Sequence, residues 1–197
     1  QAMHAAILAA RDHINLETYI LDDDEVGQRF AQALIDKQRQ GVQVNLIRDS
    51  VGTRGTSPAF FQRLADSGIR VLEFNPIDPS MVRKEWELNQ RDHRKLLIVD
   101  GRTAFLGGIN ISSDYANSSL FRSKYKAGKV DSKKVGWRDT HIKIEGPAVA
   151  ALQYAFINSW VHQEGGELAP REYFPRLAPA GDKMLRVLAT DPDTDSE

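Results

Sequence analysis

The sequence predicts an α/β fold, a layered α/β/α sandwich around a mixed central sheet. Short apolar and β-branched runs at residues 14–20, 42–47 and 69–74 alternate with helical patterns at 25–40 and 58–66. That order gives neighbouring strands with helices on the faces of the sheet. Two further runs, 96–99 and 103–106, flank Asp100-Gly101, a strong hairpin signal that makes part of the sheet antiparallel. A strand pattern at 138–145 followed by a helical one at 147–162 completes the alternation.

Each element has a local reason. Residues 2–12 read as a helix and 14–20 as a strand. The amphipathic helix at 25–40 has Asp22, Asp23 and Asp24 at its start and Gly41 as its stop, matching the preference for carboxylates at helix N-termini and glycine after C-termini. The helix at 58–66 opens on Pro58 and is closed by Gly68, and that at 147–162 lines up Val149, Leu152, Phe156 and Trp160. Residues 170–182, rich in Pro, Ala and charge, read as a linker, and 184–190 as a new strand. The expected division is a catalytic unit at 1–169, then a linker and the start of a truncated second unit at 170–197. The chain opens directly in a helix-like segment, which suggests a domain excised from a longer protein.

Composition bounds the function classes. With 197 residues, 41% hydrophobic and 27% charged, the chain suits one soluble globular core. A net charge of -1 counts against an overall basic nucleic-acid binder, and the absence of cysteine excludes disulfides and thiolate metal sites. No run of about 18 apolar residues is present to span a membrane, and no signal-peptide pattern opens the chain. The run Asp22-Asp23-Asp24 is read as a helix start and not as a divalent-metal site, because adjacent side chains point in different directions. No metal and no cofactor are assigned.

The chemistry concentrates between His93 and Asn110, where H-R-K-L-L-I-V-D-G-R-T-A-F-L-G-G-I-N fits H-x-K-x4-D-x6-G-G-x-N at every fixed position. With Asp100-Gly101 as a two-residue turn, Lys95 lies opposite Leu106 and His93 opposite Gly108. His93, Lys95, Gly108 and Asn110 then project to one face, and a one-residue change in the turn would undo that arrangement. An imidazole, ordinarily titrating near pH ~6.5, serves as a nucleophile or an acid. Lys95 and Asn110 can stabilise charge on non-bridging phosphate oxygens around the gap left by Gly108, and Gly107 and Gly108 are, with Asp100, the structural residues of the motif. Asp100 at the turn is expected to bond backbone N–H groups and not substrate.

Other histidines and loops are weaker signals. His141-Ile142-Lys143 repeats H-x-K, but Ala148 stands where the motif needs Asp and no G-G-x-N follows; it reads as strand alternation. His4, His13 and His162 read as surface or helix-end residues. The loop at 75–92 carries Met81, Val82, Trp86 and Leu88 among charges, and Met81 and Trp86 are read as packing within the domain. The loop at 117–136 carries Arg122, Lys124, Lys126, Lys129, Lys133 and Lys134 against only Asp131. Such a cluster suits anionic headgroups or a nucleic-acid backbone, each basic residue near an anionic bilayer contributing about 1 kcal/mol, or else forms a solvated connection.

The motif resembles that of the phospholipase D superfamily, which acts on phosphodiesters through a histidine nucleophile. L-E-T-Y-I from Leu16, G-V-Q-V-N-L-I-R-D from Gly41, F-N-P from Phe74 and W-R-D-T-H-I-K-I-E-G-P-A-V from Trp137 are similar to the N-terminal half of bacterial cardiolipin synthase-type proteins, over about residues 1–165. The resemblance implies a phospholipase D-like half-domain, a phosphohistidine intermediate and no metal. It implies a phospholipid substrate such as phosphatidylglycerol, and a cytoplasmic site of action peripheral to an anionic inner membrane. It also implies that Asp139 orients a catalytic histidine across the cleft; otherwise Asp139 is a strand-edge carboxylate paired with Arg138. Family sites need two motif copies, and this chain has one.

Three functions follow as expectations: half of a phosphatidyltransferase site completed by a second motif in the same parent chain, a single-motif nuclease or phosphodiesterase completed by a homodimer partner, and a non-enzymatic anionic-lipid-binding module. Near-neutral charge counts against nucleic acid as a partner. A second motif beyond Glu197 distinguishes the first from the second.

Overall fold

The computed structural model describes residues 1–76, 91–116 and 139–188. Its elements, in chain order, are α1 (Ala2–Ala9), β1 (His13–Thr18), α2 (Glu25–Arg39), β2 (Gln43–Asp49), α3 (Pro58–Asp66), β3 (Arg70–Phe74), β4 (Leu96–Val99), β5 (Thr103–Gly107), α4 (Ser113–Ala116), β6 (His141–Glu145) and α5 (Val149–His162). The strands form one mixed sheet in the order β3-β2-β1-β4-β5-β6. β1, β2 and β3 run parallel, and β4, β5 and β6 are each antiparallel to the preceding neighbour in that order.

Period-two alternation divides the sheet between two cores. Ile14, Leu16, Val44, Leu46, Leu97, Val99 and Phe105 pack with Ile7, Leu34 and Leu64 of α1, α2 and α3. Ile47, Leu96, Ile98, Ala104 and Ile144 pack with Val149, Leu152, Phe156 and Trp160 of α5. This is the expected α/β/α layering. β1 is buried along its whole length even though every second residue is polar. Those polar groups sit on the α5 side: Asn45 Nδ2 donates to Asn15 Oδ1 at 2.8 Å and His13 Nδ1 meets Asp12 Oδ2 at 2.8 Å, whereas the Glu17 carboxyl has no hydrogen-bond donor among the described residues.

The helix starts follow their capping chemistry. Asp24 accepts from Gly27 N–H at 2.9 Å and Ser57 from Phe60 N–H at 3.2 Å, each satisfying an orphan amide of the first turn. Asp24 also accepts from Ser113 N–H at 2.5 Å, tying α4 to the head of α2, and Ser57 Oγ donates to Asp23 at 3.0 Å.

Several expectations need correction. His13 is not a surface residue: it opens β1, is fully buried, and its ring lies 4.6 Å from that of Tyr173. Residues 184–188 of the expected strand at 184–190 are not in a strand. The stretch read as a linker is anchored, since Arg171 reaches Asp12 at 3.5 Å and Gly41 O at 3.1 Å while Leu177 packs on the α5 core.

The hairpin turn also differs. Asp100 and Gly101 both have positive φ, and Arg102 N–H bonds Val99 O at 3.0 Å, as in the expected turn. Arg102 is nevertheless an extra residue, because the ladder pairs Val99 with Thr103 and Leu96 with Leu106. Continued one step, that register sets Lys95 against Gly107 and not Leu106. The one-face arrangement derived from a two-residue turn therefore does not hold; bulged residues shift register in this way.

Candidate active site

The turn aspartate sets the height of the motif. Asp100 accepts backbone N–H groups from Arg11, Asp12 and His13 at 2.8–3.1 Å, while its own N–H bonds His13 O at 2.9 Å. These partners lie at the start of β1, whereas the sequence predicts backbone N–H groups local to the turn. With one end of the hairpin pinned there, residues 91–95 emerge at the other end of β4, beside the end of β1.

There His93 is exposed, with its ring 4.1 Å from that of Tyr19 and tilted 31° to it. Lys95 is half-buried; its Nζ donates to His93 O at 2.6 Å and lies 5.0 Å from the centre of the Tyr19 ring. Burial lowers the Lys95 ammonium below the ordinary lysine value, while the carboxylates of Asp92, Asp139 and Asp49 pull it back upward. Three carboxylates thus act on the cation of the motif through their charge.

The two motif glycines explain how Asp139 reaches this site. Gly107 has φ +157°, and a Cβ there would stand 2.3 Å from Thr140 O. A Cβ at Gly108 would stand 2.6 Å from Asp139 Oδ1, and Gly108 N–H bonds Thr140 O at 2.9 Å. Any larger residue would push residues 139–141 away from the motif. Asp139 itself is exposed and precedes β6. His141, read from sequence as plain strand alternation, pairs with Gly107; burial pushes its imidazole below the ordinary value, against the pull of Asp139.

Asn110 is engaged within the protein. Its Oδ1 accepts from Ile20 N–H at 3.2 Å and its Nδ2 donates to Tyr115 OH at 2.8 Å, so it braces the chain after β5 against the end of β1. His93, Lys95, Gly107, Gly108 and Asp139 are brought together; Asn110 is held nearby as a support with one N–H remaining. The residues expected to bind lipid or phosphate, Arg122, Lys124, Lys126, Lys133 and Lys134, lie outside the described residues, as do Met81, Val82, Trp86 and Leu88.

Sequence reasoning missed the residues beneath His93. Asp49 accepts from Asp92 N–H at 3.1 Å through one oxygen, and from Val51 and Gly52 N–H at 2.8 Å through the other. Asp92, buried, accepts from Arg94 N–H at 2.9 Å. Arg94 in turn donates to Ser159 on α5 and lies 3.6 Å from the fully buried Glu17. The available signal was a glutamate in an otherwise buried central strand, since unpaired charges are almost never fully buried.

A family model described as "Cardiolipin synthase, PLD-like domain" matches residues 3–120. The cardiolipin synthase of Geobacillus kaustophilus is 34% identical over 98% of this chain and 36% of its own length. The major cardiolipin synthase of Bacillus subtilis is 35% identical over 100% of this chain and 38% of its own. Among solved structures, the phospholipase D family member Nuc from Salmonella typhimurium aligns with TM-score 0.52 at 18% identity, over 81% of this chain and 85% of that one. The fold is therefore that of the phospholipase D superfamily. Within it, the chain belongs to the family of cardiolipin synthase phospholipase D-like domains, and it spans little more than a third of the length of the curated relatives it matches.

Proposed function

We propose that this chain is half of a phosphatidyltransferase site acting on phospholipid phosphodiesters. The observation that carries this reading is the exposed His93 seated on Tyr19, with Lys95 beside it and Asp139 against Gly108. A ring nitrogen of His93 attacks the phosphorus of phosphatidylglycerol. The P–O bond to the glycerol headgroup breaks, the departing oxygen takes a proton from an acid on the opposite side, and a phosphatidyl-histidine remains. The hydroxyl of a second phosphatidylglycerol then attacks phosphorus, loses its proton to that same opposing group, and frees His93. Lys95 stabilises the non-bridging oxygens in both steps. Asp139 orients the opposing histidine, which a second motif supplies, because one His93 cannot attack and donate across the same phosphorus.

In this reading residues 1–169 are the catalytic half, and 170–197 lead toward a second half in the parent chain. The protein works at an anionic cytoplasmic membrane surface from the periphery; no helix among the described residues is long and apolar enough to cross a bilayer. The test is turnover of phosphatidylglycerol by a protein containing both halves. His93→Ala should abolish it with the fold intact, and Lys95→Ala should reduce it. Unchanged turnover in His93→Ala removes the proposal.

A further inference from the structure

The residues on either side of His93 face away from it. Across 92–95 the side chains alternate as in a strand. His93 and Lys95 share the Tyr19 ring, whereas Asp92 and Arg94 turn toward Glu17 and α5. His93 therefore sits between two residues that are fixed from below, each through its backbone: Asp92 N–H is held by Asp49, and Arg94 N–H by Asp92.

Glu17 is the unexplained member of this arrangement. It is 0% exposed, and among the described residues both of its carboxyl oxygens lack a hydrogen-bond donor, as does Asp92 Oδ2. Its cation among the described residues, Arg94, stands at 3.6 Å and is itself engaged by Ser159. An ionised carboxylate so placed would be poorly compensated. Burial first, and then the charge of Asp92 and a hydrogen bond with it, drive the Glu17 carboxyl well above the ordinary glutamate range, while Arg94 and Ser159 oppose. Two acids can hydrogen-bond only if one of them carries a proton.

We propose that Glu17 and Asp92 are positioning residues: a buried acid pair sharing one proton, which fixes Asp92 so that its grip on Arg94 N–H holds His93 against Tyr19. Their relevance to catalysis rests on the reading of His93 as the nucleophile. The charged and titratable groups facing Glu17 are Asp92 and Arg94 from the segment before β4; α5 contributes the hydroxyl of Ser159, and the flanking strands contribute Ile47 and Leu96. A protonated Glu17 donates to Asp92, whose other oxygen stays committed to the backbone beyond His93.

The sign of the pH effect follows. Because the folded state holds this proton more tightly than the unfolded chain, the pair's contribution to stability is full below the ordinary glutamate value. It declines as pH rises from there toward the raised one. Gln is the uncharged isostere of protonated Glu, with an amide N–H to offer Asp92. Glu17→Gln should therefore flatten the decline, and its denaturant midpoint at pH 8 should equal or exceed that of the unaltered 197-residue chain. A midpoint lowered throughout pH 5–9 would mean that Glu17 is an ionised partner of Arg94, which overturns the shared proton.

Positioning is read separately, by NMR on the same chain. Asp92→Ala should lose the Tyr19–His93 ring-to-ring NOE and the exchange protection of the Arg94 amide, whereas Asp92→Asn, which keeps an acceptor oxygen, should retain both. If Asp92→Ala fails to fold, Glu17→Ala serves as the second variant and should weaken the same NOE, with rescue by Glu17→Gln. An NOE that survives in Asp92→Ala, or in Glu17→Ala, overturns the positioning role. Neither readout passes through turnover, so failure here leaves the chemistry of His93 standing, and failure of that chemistry leaves the acid pair standing.

Discussion

Asp139 Oδ1 lies where a side chain on Gly108 would have to begin: a Cβ there would be 2.6 Å away. The second glycine of the motif thus leaves room for the carboxylate that precedes β6. Gly108→Ala should leave the melting temperature nearly unchanged, because Asp139 is exposed and free to retreat. It should lower kcat of a two-half protein by on the order of 10²-fold, the usual effect of an ångström-scale misplacement. Steady-state kinetics with a parallel melting curve check this; a large stability loss with normal kcat would make Gly108 a folding residue only.

Asp100→Ala should destabilise without altering the chemistry at His93. It strips the acceptor from the amides of Arg11, Asp12 and His13 and places Ala at a positive φ. A loss of about 1 kcal/mol is expected, since a donor orphaned by burial costs roughly 1–3 kcal/mol and these bonds are exposed at Arg11 and part-buried at Asp12 and His13. Urea denaturation measures it, and Asp100→Asn, which keeps one acceptor oxygen, should recover part of the loss.

Much of the fold was legible because its elements obey local rules. Pro58 and Gly68 bracket α3, Asp24 caps α2, and the continuous apolar run Leu96 to Val99 marks β4. The motif likewise announced His93 and Lys95. The hairpin register was not legible: Asp100 and Gly101 satisfy the two-residue turn, and only the pairing with β1 and β6 decides that Arg102 is the extra residue. His13 and Glu17 were missed for a related reason. Their burial depends on α5 and residues 164–181 folding over β1, contacts made about 140–160 positions away in sequence, and no local pattern encodes them.

Lys95 gives the site an alkaline limit. Its ammonium loses a proton at lower pH than an ordinary lysine because it is partly buried, the neighbouring carboxylates only partly restoring it. Turnover should therefore fall on the alkaline side before the ordinary lysine range is reached. Stability should move oppositely, rising as pH passes the lowered value, because the fold disfavours the charged form. Lys95→Arg, permanently charged, should be slower but without that alkaline fall in its pH–rate profile; an identical profile would assign the limb to another group.

The basic segment at 117–136 should govern attachment to anionic surfaces. Replacing Lys124, Lys126, Lys133 and Lys134 by Gln should reduce binding to anionic vesicles several-fold at low salt. The difference should vanish at high salt, since such attraction is screened over about 8 Å at physiological ionic strength. Vesicle co-sedimentation checks it, and unchanged low-salt binding would reduce the segment to a solvated connection.

The central claim is that His93 carries the phosphatidyl group. Acid-labile adducts can be trapped by rapid quenching of a two-half protein with labelled phosphatidylglycerol, followed by peptide mapping at neutral pH. The account predicts one phosphatidyl adduct, on His93, in the unaltered two-half protein, and none when His93 is replaced by Asn. An adduct on the opposing half alone, with His93→Asn still forming it at the normal rate, would contradict the account.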